Sequence, residues 1–469
     1  MTVEVRDRIC GDGKTTDMLK EVKESFLNGA DDKYIIITPY LKECHSIAGT
    51  EAVEDDEYQR PVTDSDGNIV YSATDRNLGI MRFKHPSFNN KEGSKEASLK
   101  HLMSNNHNIV STHNLFLNVK LDTLKNASNY TLIVDEALDV FSVCSLLPRK
   151  ETKKLLKVGI LYLMSDNITL QFNRELFGDM SKLVLGEDAV KDTRYEEVAA
   201  LCDNKQILLV NGNVLLWELS AEILKKFKRV VILTYLFEGR EMSVYLNKHS
   251  IPYTVNKGSK GGKDVAHFIE IIDDKKLNAI GGEYYSLSVS STKVNKDKIL
   301  PPDEDDYDGE DDYKIALKEY KENKKEVAKK NISAEDVNDQ LRRNLKNVMH
   351  NRWKAKKDDR FFTCISSNEK KIADKSFKGE WLGFSTKATN DYREKHHIAF
   401  LMNVFMQPYL KKVCDSTEFK INEDLVALSH LIQFVFRSAL REDEPVKIYL
   451  PSIRMRELFE RWLEGEFDG

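Results

Sequence analysis

Short runs of β-branched and aliphatic residues recur along the first part of the chain, and each is followed by a stretch with helical spacing. The clearest runs are 34–38, 108–112, 130–135 and 229–234. Continuous apolar strands separated by helices are typical of a parallel sheet covered by helices on both faces. The alternation resumes at 360–366 and ends with a strand at 446–450. The sequence therefore predicts an α/β protein.

The length of the chain predicts two domains, because 469 residues exceed one compact core of ordinary size. We place the first domain at 1–245, with a largely helical insertion near 145–225. The second domain is placed at 246–469. It carries a charged insertion near 301–330, which opens with an acidic run and becomes rich in lysine, as expected of a solvated segment.

Composition excludes several classes of protein. There is no apolar run of eighteen residues, so no membrane contact is expected, and the charged N-terminus lacks the apolar core of a secretory signal. The six cysteines form no Cys-x-x-Cys pair, so their spacing predicts neither a zinc site nor an iron–sulfur cluster. A reduced, cytoplasmic setting is the simplest interpretation. A net charge of -5 means that any nucleic-acid contact must use local basic surface.

A glycine-rich loop lies between an extended segment at 3–9 and a helix predicted to begin near Thr16. Residues 10–16 read Cys-Gly-Asp-Gly-Lys-Thr-Thr. Glycines allow successive backbone N–H groups to face phosphate oxygens, and the following helix N-terminus favours an anion. The lysine of such a loop reaches the β- and γ-phosphates, and the next hydroxyl joins the Mg²⁺ shell. We therefore predict that ATP–Mg²⁺ is bound by Gly11, Asp12, Gly13, Lys14, Thr15 and Thr16.

This loop departs from the full phosphate-loop pattern at one place, because Arg8 stands where that pattern has a glycine. A coincidental Gly-x-Gly-Lys-Thr in an ordinary loop is the alternative interpretation. The position after a strand and before a helix favours the phosphate loop.

An acid pair ends the predicted strand 130–135. Asp135 is predicted to hold Mg²⁺ through water, together with Thr15, and Glu136 to polarise the attacking water. An acidic strand end without function is the alternative, and the upstream phosphate loop argues against it.

With these two motifs the chain resembles the superfamily 2 helicases. Residues 135–138, Asp-Glu-Ala-Leu, look like the DEAD/DEAH box with leucine in the last place. Residues 37–39 and 111–113 are similar to the motifs with which that family contacts the nucleic-acid backbone, which implies this role for Thr38, Pro39 and Thr112. Residues 233–235 resemble the motif that couples hydrolysis to movement. Each threonine could also be an ordinary strand-end residue.

The C-terminal part carries a second group of polar residues. Residues 430–441 read as a helix in which Gln433, Arg437 and Arg441 recur every four residues and share a face. This pattern is similar to motif VI of the helicases, whose arginines reach the γ-phosphate. The second arginine comes one place late, so Arg437 is the stronger candidate. A surface helix with solvated arginines is the alternative.

Residues 385–392 look like motif V, which implies nucleic-acid contacts by Thr389 and Asn390, although a simple loop fits equally well. The narrower resemblance is to viral and phage replication helicases. It implies two RecA-like parallel-sheet lobes with helical insertions, which hydrolyse ATP between them. It also favours single-stranded or forked DNA over RNA as the substrate, although no residue distinguishes the two, and it implies replication proteins as partners. Two rivals remain open: a duplex-DNA translocase that does not separate strands, and an ATP-gated scaffold without turnover.

Overall fold

A computed structural model describes most of the chain. The described residues are 1–48, 51–52, 71–72, 83–87, 93–186, 192–210, 212, 214–274, 277, 302, 313–322, 334–373, 377, 379–384, 392–415 and 419–467. The chain divides into two compact units. The first comprises Met1–Gly258 and Met406–Asn422, and the second comprises Ser259–Phe405 and Glu423–Gly469.

Strands and helices alternate in both units. The strands are β1 (Thr2–Asp7), β2 (Lys33–Thr38), β3 (Glu51–Ala52), β4 (Tyr71–Ser72), β5 (Phe83–Lys84), β6 (Asn108–Thr112), β7 (Tyr130–Asp135), β8 (Phe141–Val143), β9 (Leu161–Leu163), β10 (Leu170–Phe172), β11 (Ile207–Val210), β12 (Val214–Glu218), β13 (Arg229–Thr234), β14 (Tyr253–Lys257), β15 (Ile269–Ile271), β16 (Arg360–Thr363), β17 (Glu380–Trp381), β18 (His397–Phe400) and β19 (Val446–Tyr449).

The helices, in the same order, are α1 (Lys14–Leu27), α2 (Leu41–Ala48), α3 (Lys95–Ser104), α4 (His113–Leu117), α5 (Arg149–Lys157), α6 (Arg174–Leu185), α7 (Thr193–Asp203), α8 (Ala221–Lys225), α9 (Glu241–Lys248), α10 (Gly262–Val265), α11 (Ala334–Lys346), α12 (Glu369–Ile372), α13 (Pro408–Asp415), α14 (Glu423–Val435) and α15 (Ile453–Leu463). Residues 313–322 are also helical. No helix within the described ranges is long and apolar enough to cross a membrane.

The first unit is built on a seven-stranded sheet with the order β14-β1-β13-β7-β2-β6-β5. Every pairing in it is parallel. Because parallel strands end at one edge, the residues that follow β1, β13 and β7 are neighbours there. The register makes this explicit: Asp7 stands opposite Thr234, and Leu233 opposite Asp135. These are the strands that the sequence predicted, and the α/β prediction is confirmed.

The central strands are buried because helices cover both faces of this sheet. All six residues of β7 are buried, as are five of the six in β2. On one face, Met18, Leu19 and Val22 of α1 pack against Ile36 and Ile133. Each fully buried aliphatic side chain of this kind stabilises the fold by roughly 1.5–3 kcal/mol. This packing holds the start of α1, and hence the loop before it, against the edge of the sheet.

The insertion between β7 and β13 has its own apolar core. The prediction of a largely helical segment was incomplete, since the described part of 145–225 contains four short strands beside its helices. They form a β9–β10 hairpin and, with β8, a three-stranded antiparallel sheet of order β11-β12-β8. The strands were missed because they are only three to five residues long. Such short segments do not show a clear hydrophobic periodicity.

The second unit contains a five-stranded parallel sheet with the order β15-β19-β18-β16-β17. Its apolar core joins α11 to the sheet, with Leu341, Leu345 and Phe362 fully buried. The first unit extends to Gly258 rather than to residue 245, because β14 pairs with β1. Most of the predicted charged insertion near 301–330 lies outside the described residues.

Candidate nucleotide-binding site

The glycine-rich loop connects β1 to α1 at the edge of the sheet where the strands end. Gly11 and Gly13 both have positive φ angles, of 82° and 67°, which a residue with a Cβ adopts only with strain. Gly13 is the N-cap of α1, and its carbonyl accepts the N–H of Asp17 at 2.8 Å. Thr16 lies exposed in the first turn. The helix begins at Lys14, two residues before the predicted start near Thr16, and its N-terminus faces the loop.

Lys14 lies within its own loop. Its Nζ donates to the carbonyls of Arg8 and Ile9, at 2.7 and 2.9 Å. An ammonium group held by two carbonyl oxygens is placed to exchange them for the stronger, anionic oxygens of a phosphate. The loop is therefore folded around its lysine in the manner expected of a phosphate cradle.

Thr15 joins the loop to the acid pair. Its hydroxyl donates to Oδ1 of Asp135 at 2.7 Å, across 120 residues of sequence. A hydroxyl and a carboxylate at this separation are oxygen donors of the kind that Mg²⁺ prefers, and a cation bound with several waters needs few protein ligands. These two residues fit the predicted Mg²⁺ site.

Arg8 holds the loop from the position where the full pattern has a glycine. Its guanidinium bonds to the Asp12 carboxylate at 2.7 Å, to the Asp12 carbonyl at 2.7 Å and to Asp17 at 3.0 Å. The bond from Arg8 lowers the pKa of Asp17. The missing glycine is thus replaced by a side chain that fixes the loop through charge-assisted hydrogen bonds.

Glu136 has a strained backbone. It directly follows β7 with a φ of 66°, while its N–H donates to the carbonyl of Leu233 at 3.0 Å. Left-handed backbone costs a residue with a Cβ about 1–2 kcal/mol, and such strain clusters at functional sites. The side chain is half-buried beside Asp135, where the water-polarising role was predicted.

The threonines predicted to contact nucleic acid are bonded within the protein. The Thr38 hydroxyl is buried, donates to the Tyr40 carbonyl at 3.1 Å and lies 3.3 Å from the Cys44 sulfur. The Thr112 hydroxyl caps α4 by accepting the N–H of Leu115 at 3.2 Å. Pro39 is half-buried. All three lie at the sheet edge that carries the phosphate loop, and their contact with nucleic acid stays a prediction.

The helix predicted over 430–441 ends earlier, at Val435. The chain then tightens, because the N–H of Arg437 bonds to the carbonyl of Phe434, three residues back, and Ser438 starts a 3₁₀ turn at Ala439–Glu442. The expectation that three polar residues share one helical face was therefore wrong for Arg437 and Arg441. Gln433 remains on α14, half-buried.

Arg437 is buried inside the second unit, whereas Arg441 is exposed. The Arg437 guanidinium donates to the carbonyls of Gly383 and Phe384, at 3.4 and 3.3 Å. These carbonyls precede the segment 385–391, where Thr389 and Asn390 were predicted to contact nucleic acid, and that segment lies outside the described residues. Arg437 thus contacts the two residues that come directly before the motif V candidate in the sequence.

Sequence reasoning missed three residues at the edge of the first sheet. His113 Nε2 lies 2.9 Å from the Asp135 carbonyl, and so carries the proton that this bond requires. Asp7, the last residue of β1, is buried and accepts the N–H of Phe237 at 3.1 Å; burial raises the pKa of its carboxyl. Arg240, just after the turn that follows β13, is the third. Arg240 is the N-cap of α9, and the helix dipole disfavours a cation at that end. This unfavourable placement is the feature that could have singled out Arg240.

Residues 307–463 match the family model described as the YonV C-terminal Rossmann-like domain. Over 486 positions the chain is 29% identical to the SPbeta prophage-derived uncharacterized protein YonV of Bacillus subtilis (strain 168), with 99% of each protein covered. The Rossmann-like description fits the parallel strands β16–β19.

Two solved structures also show similarity, at 11% identity each. The helicase domain of Pyrococcus furiosus Hef aligns with 99% of this chain and 95% of that one, at a TM-score of 0.34. T4 UvsW aligns with 96% of this chain and 73% of that one, at a TM-score of 0.22.

Proposed function

We propose that the chain is an ATP-dependent helicase or translocase that moves along single-stranded DNA. The observation that carries the proposal is the 2.7 Å hydrogen bond between Thr15 and Asp135. It joins a phosphate-binding loop to a strand-end carboxylate, and these are the two parts that hydrolysis of a nucleoside triphosphate with Mg²⁺ requires. The strain at Glu136, beside Asp135, supports a catalytic role for that residue.

The roles of the residues follow from their positions. Lys14 exchanges the carbonyls of Arg8 and Ile9 for β- and γ-phosphate oxygens, while the N–H groups of the loop bind the remaining phosphate charge. Thr15 and Asp135 hold Mg²⁺, which neutralises charge on the phosphates when it is bound. Glu136 accepts a proton from the attacking water.

Arg437, Gln433 and Arg441 of the second unit are proposed to contribute to hydrolysis, by analogy with the arginine motif that they resemble. The preference for DNA and for a replication setting rests on the same resemblance, and the prophage-derived relative fits a role in phage DNA metabolism. Thr38, Pro39, Thr112, Thr389 and Asn390 are the proposed contacts to the DNA strand. Contacts to phosphates make binding tolerant of sequence and sensitive to salt.

A strand-displacement assay on forked, 3′-tailed and 5′-tailed duplexes of DNA and of RNA tests the proposal. We expect the wild-type protein to separate a tailed DNA duplex in the presence of ATP and Mg²⁺. The Glu136→Gln variant should bind the same DNA and separate no strands, because the water is no longer activated. As a matched control, Glu222→Ala removes an exposed carboxylate that forms an ion pair with Lys225 on α8, and this variant should unwind at the wild-type rate.

ATP hydrolysis, measured on the same DNA substrates, separates the rivals. Hydrolysis stimulated by duplex DNA without displacement would replace the helicase with a duplex translocase. Equal, negligible hydrolysis by the wild type and Glu136→Gln would leave only a scaffold.

A further inference from the structure

Arg240 is held by its backbone in a fixed place beside the phosphate loop. Strand β13 lies between β1, which leads into that loop, and β7, which ends in the acid pair. The chain leaves β13 through Leu236, whose φ is 52°, and a 3₁₀ turn at Phe237–Gly239. The Asp7 carboxylate accepts the N–H of Phe237 in that turn. The carbonyl of Arg240 in turn accepts the N–H and the hydroxyl of Ser243, at 3.0 and 2.8 Å.

The Arg240 guanidinium is only partly satisfied. Its Nε donates to the Tyr235 carbonyl at 3.2 Å. Its Nη2 is out of contact with solvent and has no hydrogen-bond partner among the described residues. A buried donor of a charged group that lacks an acceptor is destabilising, because its lost hydration is not replaced. An acceptor for Nη2, preferably an anion, would therefore complete the hydrogen bonding of the guanidinium.

The charges around Arg240 belong to the candidate site. Burial lowers the pKa of Arg240, whereas interactions with Cys10, Glu136, Asp139 and Asp7 act in the opposite direction. Cys10 belongs to the phosphate loop and Glu136 is the predicted water-activating acid. Their interactions with Arg240 favour its charged form.

We propose that Arg240 binds the terminal phosphate of the nucleoside triphosphate and so distinguishes the triphosphate from the diphosphate product. The inference rests on the proposed function, since it assigns a further residue to the same site. A guanidinium suits this task because it presents several N–H groups in one plane to phosphate oxygens. The first unit would thus sense the state of the nucleotide through a residue attached directly to β13.

The test compares the affinities of a non-hydrolysable ATP analogue and of ADP, each with Mg²⁺, by titration calorimetry. For Arg240→Ala we expect the affinity for the analogue to fall about tenfold to a hundredfold, the range for a lost charge-assisted hydrogen bond. The affinity for ADP should change less than about threefold. Arg240→Lys, which keeps the charge, should recover part of the loss. Arg229→Ala, at the opposite end of β13, is the matched control and should leave the ratio of the two affinities unchanged.

A structural role for Arg240, in neutralising buried Asp7, would give a different result. Equal losses for the analogue and ADP, or recovery of analogue affinity in the Arg240→Ala, Asp7→Asn double variant, would overturn the inference while leaving the proposed function in place. An unchanged Arg240→Ala would overturn it too. If neither nucleotide bound to the wild type, or if Lys14→Ala bound both equally well, the proposed function and the inference would fail together.

Discussion

At the scale of single residues, Glu136 combines a strained backbone with a carboxylate at the edge of the sheet. Glu136 takes a left-handed conformation that its side chain disfavours, and its N–H is fixed to the Leu233 carbonyl at 3.0 Å. Glycine would adopt this conformation without the steric cost. A strained backbone at a residue that carries a carboxylate is what the proposed catalytic role of Glu136 would require.

We predict that Glu136→Gly is more stable than Glu136→Gln by about 1 kcal/mol, the left-handed penalty less the entropy that glycine loses on folding. Both variants lack the carboxylate, so the difference between their free energies of unfolding isolates the backbone contribution, and both should hydrolyse ATP far more slowly than the wild type. Urea unfolding of both proteins measures it. A glycine variant that unfolds at lower urea than the glutamine variant would contradict the strained conformation.

A sequence motif identifies a site residue when the residues next to it in the sequence determine its role. Lys14 and Thr15 follow a glycine-rich loop, and Asp135 ends an apolar run, so a short window suffices for each. Arg240 and Arg8 were not assigned a role because their contacts arise from tertiary structure. Arg8 even appeared as a defect in the pattern, whereas its bonds to Asp12 and Asp17 hold the loop.

Among the elements, the long buried strands were predicted well and the short ones were not. Strands β2, β6, β7 and β13 are continuous apolar runs with clear ends, and their observed bounds agree with the sequence to within about one residue. The strands of the insertion lack that signal. The arginine helix was predicted too long, because helical spacing continues beyond Val435 although the backbone tightens into a turn.

A buried ion cluster attaches the insertion to helix α9. Glu218, at the end of β12, is 1% exposed and accepts bonds from Lys248 at 2.6 Å and His249 at 2.8 Å. We predict that Glu218→Ala lowers the free energy of unfolding by about 3–5 kcal/mol, because removing one partner leaves the mostly buried Lys248 unpaired. Urea denaturation followed by circular dichroism measures the loss.

The control for this prediction is an ion pair of the same kind on the surface. Glu222 and Lys225 are 2.9 Å apart and both exposed, so Glu222→Ala should cost less than about 1 kcal/mol. Similar decreases in the free energy of unfolding of the two variants would show that burial of Glu218 adds nothing to the stability of the ion cluster.

At the scale of the whole molecule, the two units are not simply consecutive. The segment Met406–Asn422 belongs to the first unit although it lies between elements of the second. In that segment the Tyr409 hydroxyl donates to Glu241 of α9 at 2.9 Å, and burial raises the pKa of Tyr409. No local pattern marks such a return, because the contact joins residues 168 positions apart. Two parallel sheets could be predicted from the sequence; this exchange of chain between them could not.

The central claim is that the phosphate loop and the acid pair of the first unit hydrolyse ATP in response to nucleic acid. It is tested most directly by steady-state ATP turnover of the full chain with and without single-stranded DNA, for the wild type and Glu136→Gln. We predict that DNA stimulates the wild type, that the stimulation weakens with added salt, and that Glu136→Gln is slower by at least about a hundredfold. Equal, negligible turnover by both proteins, with or without DNA, would contradict the claim.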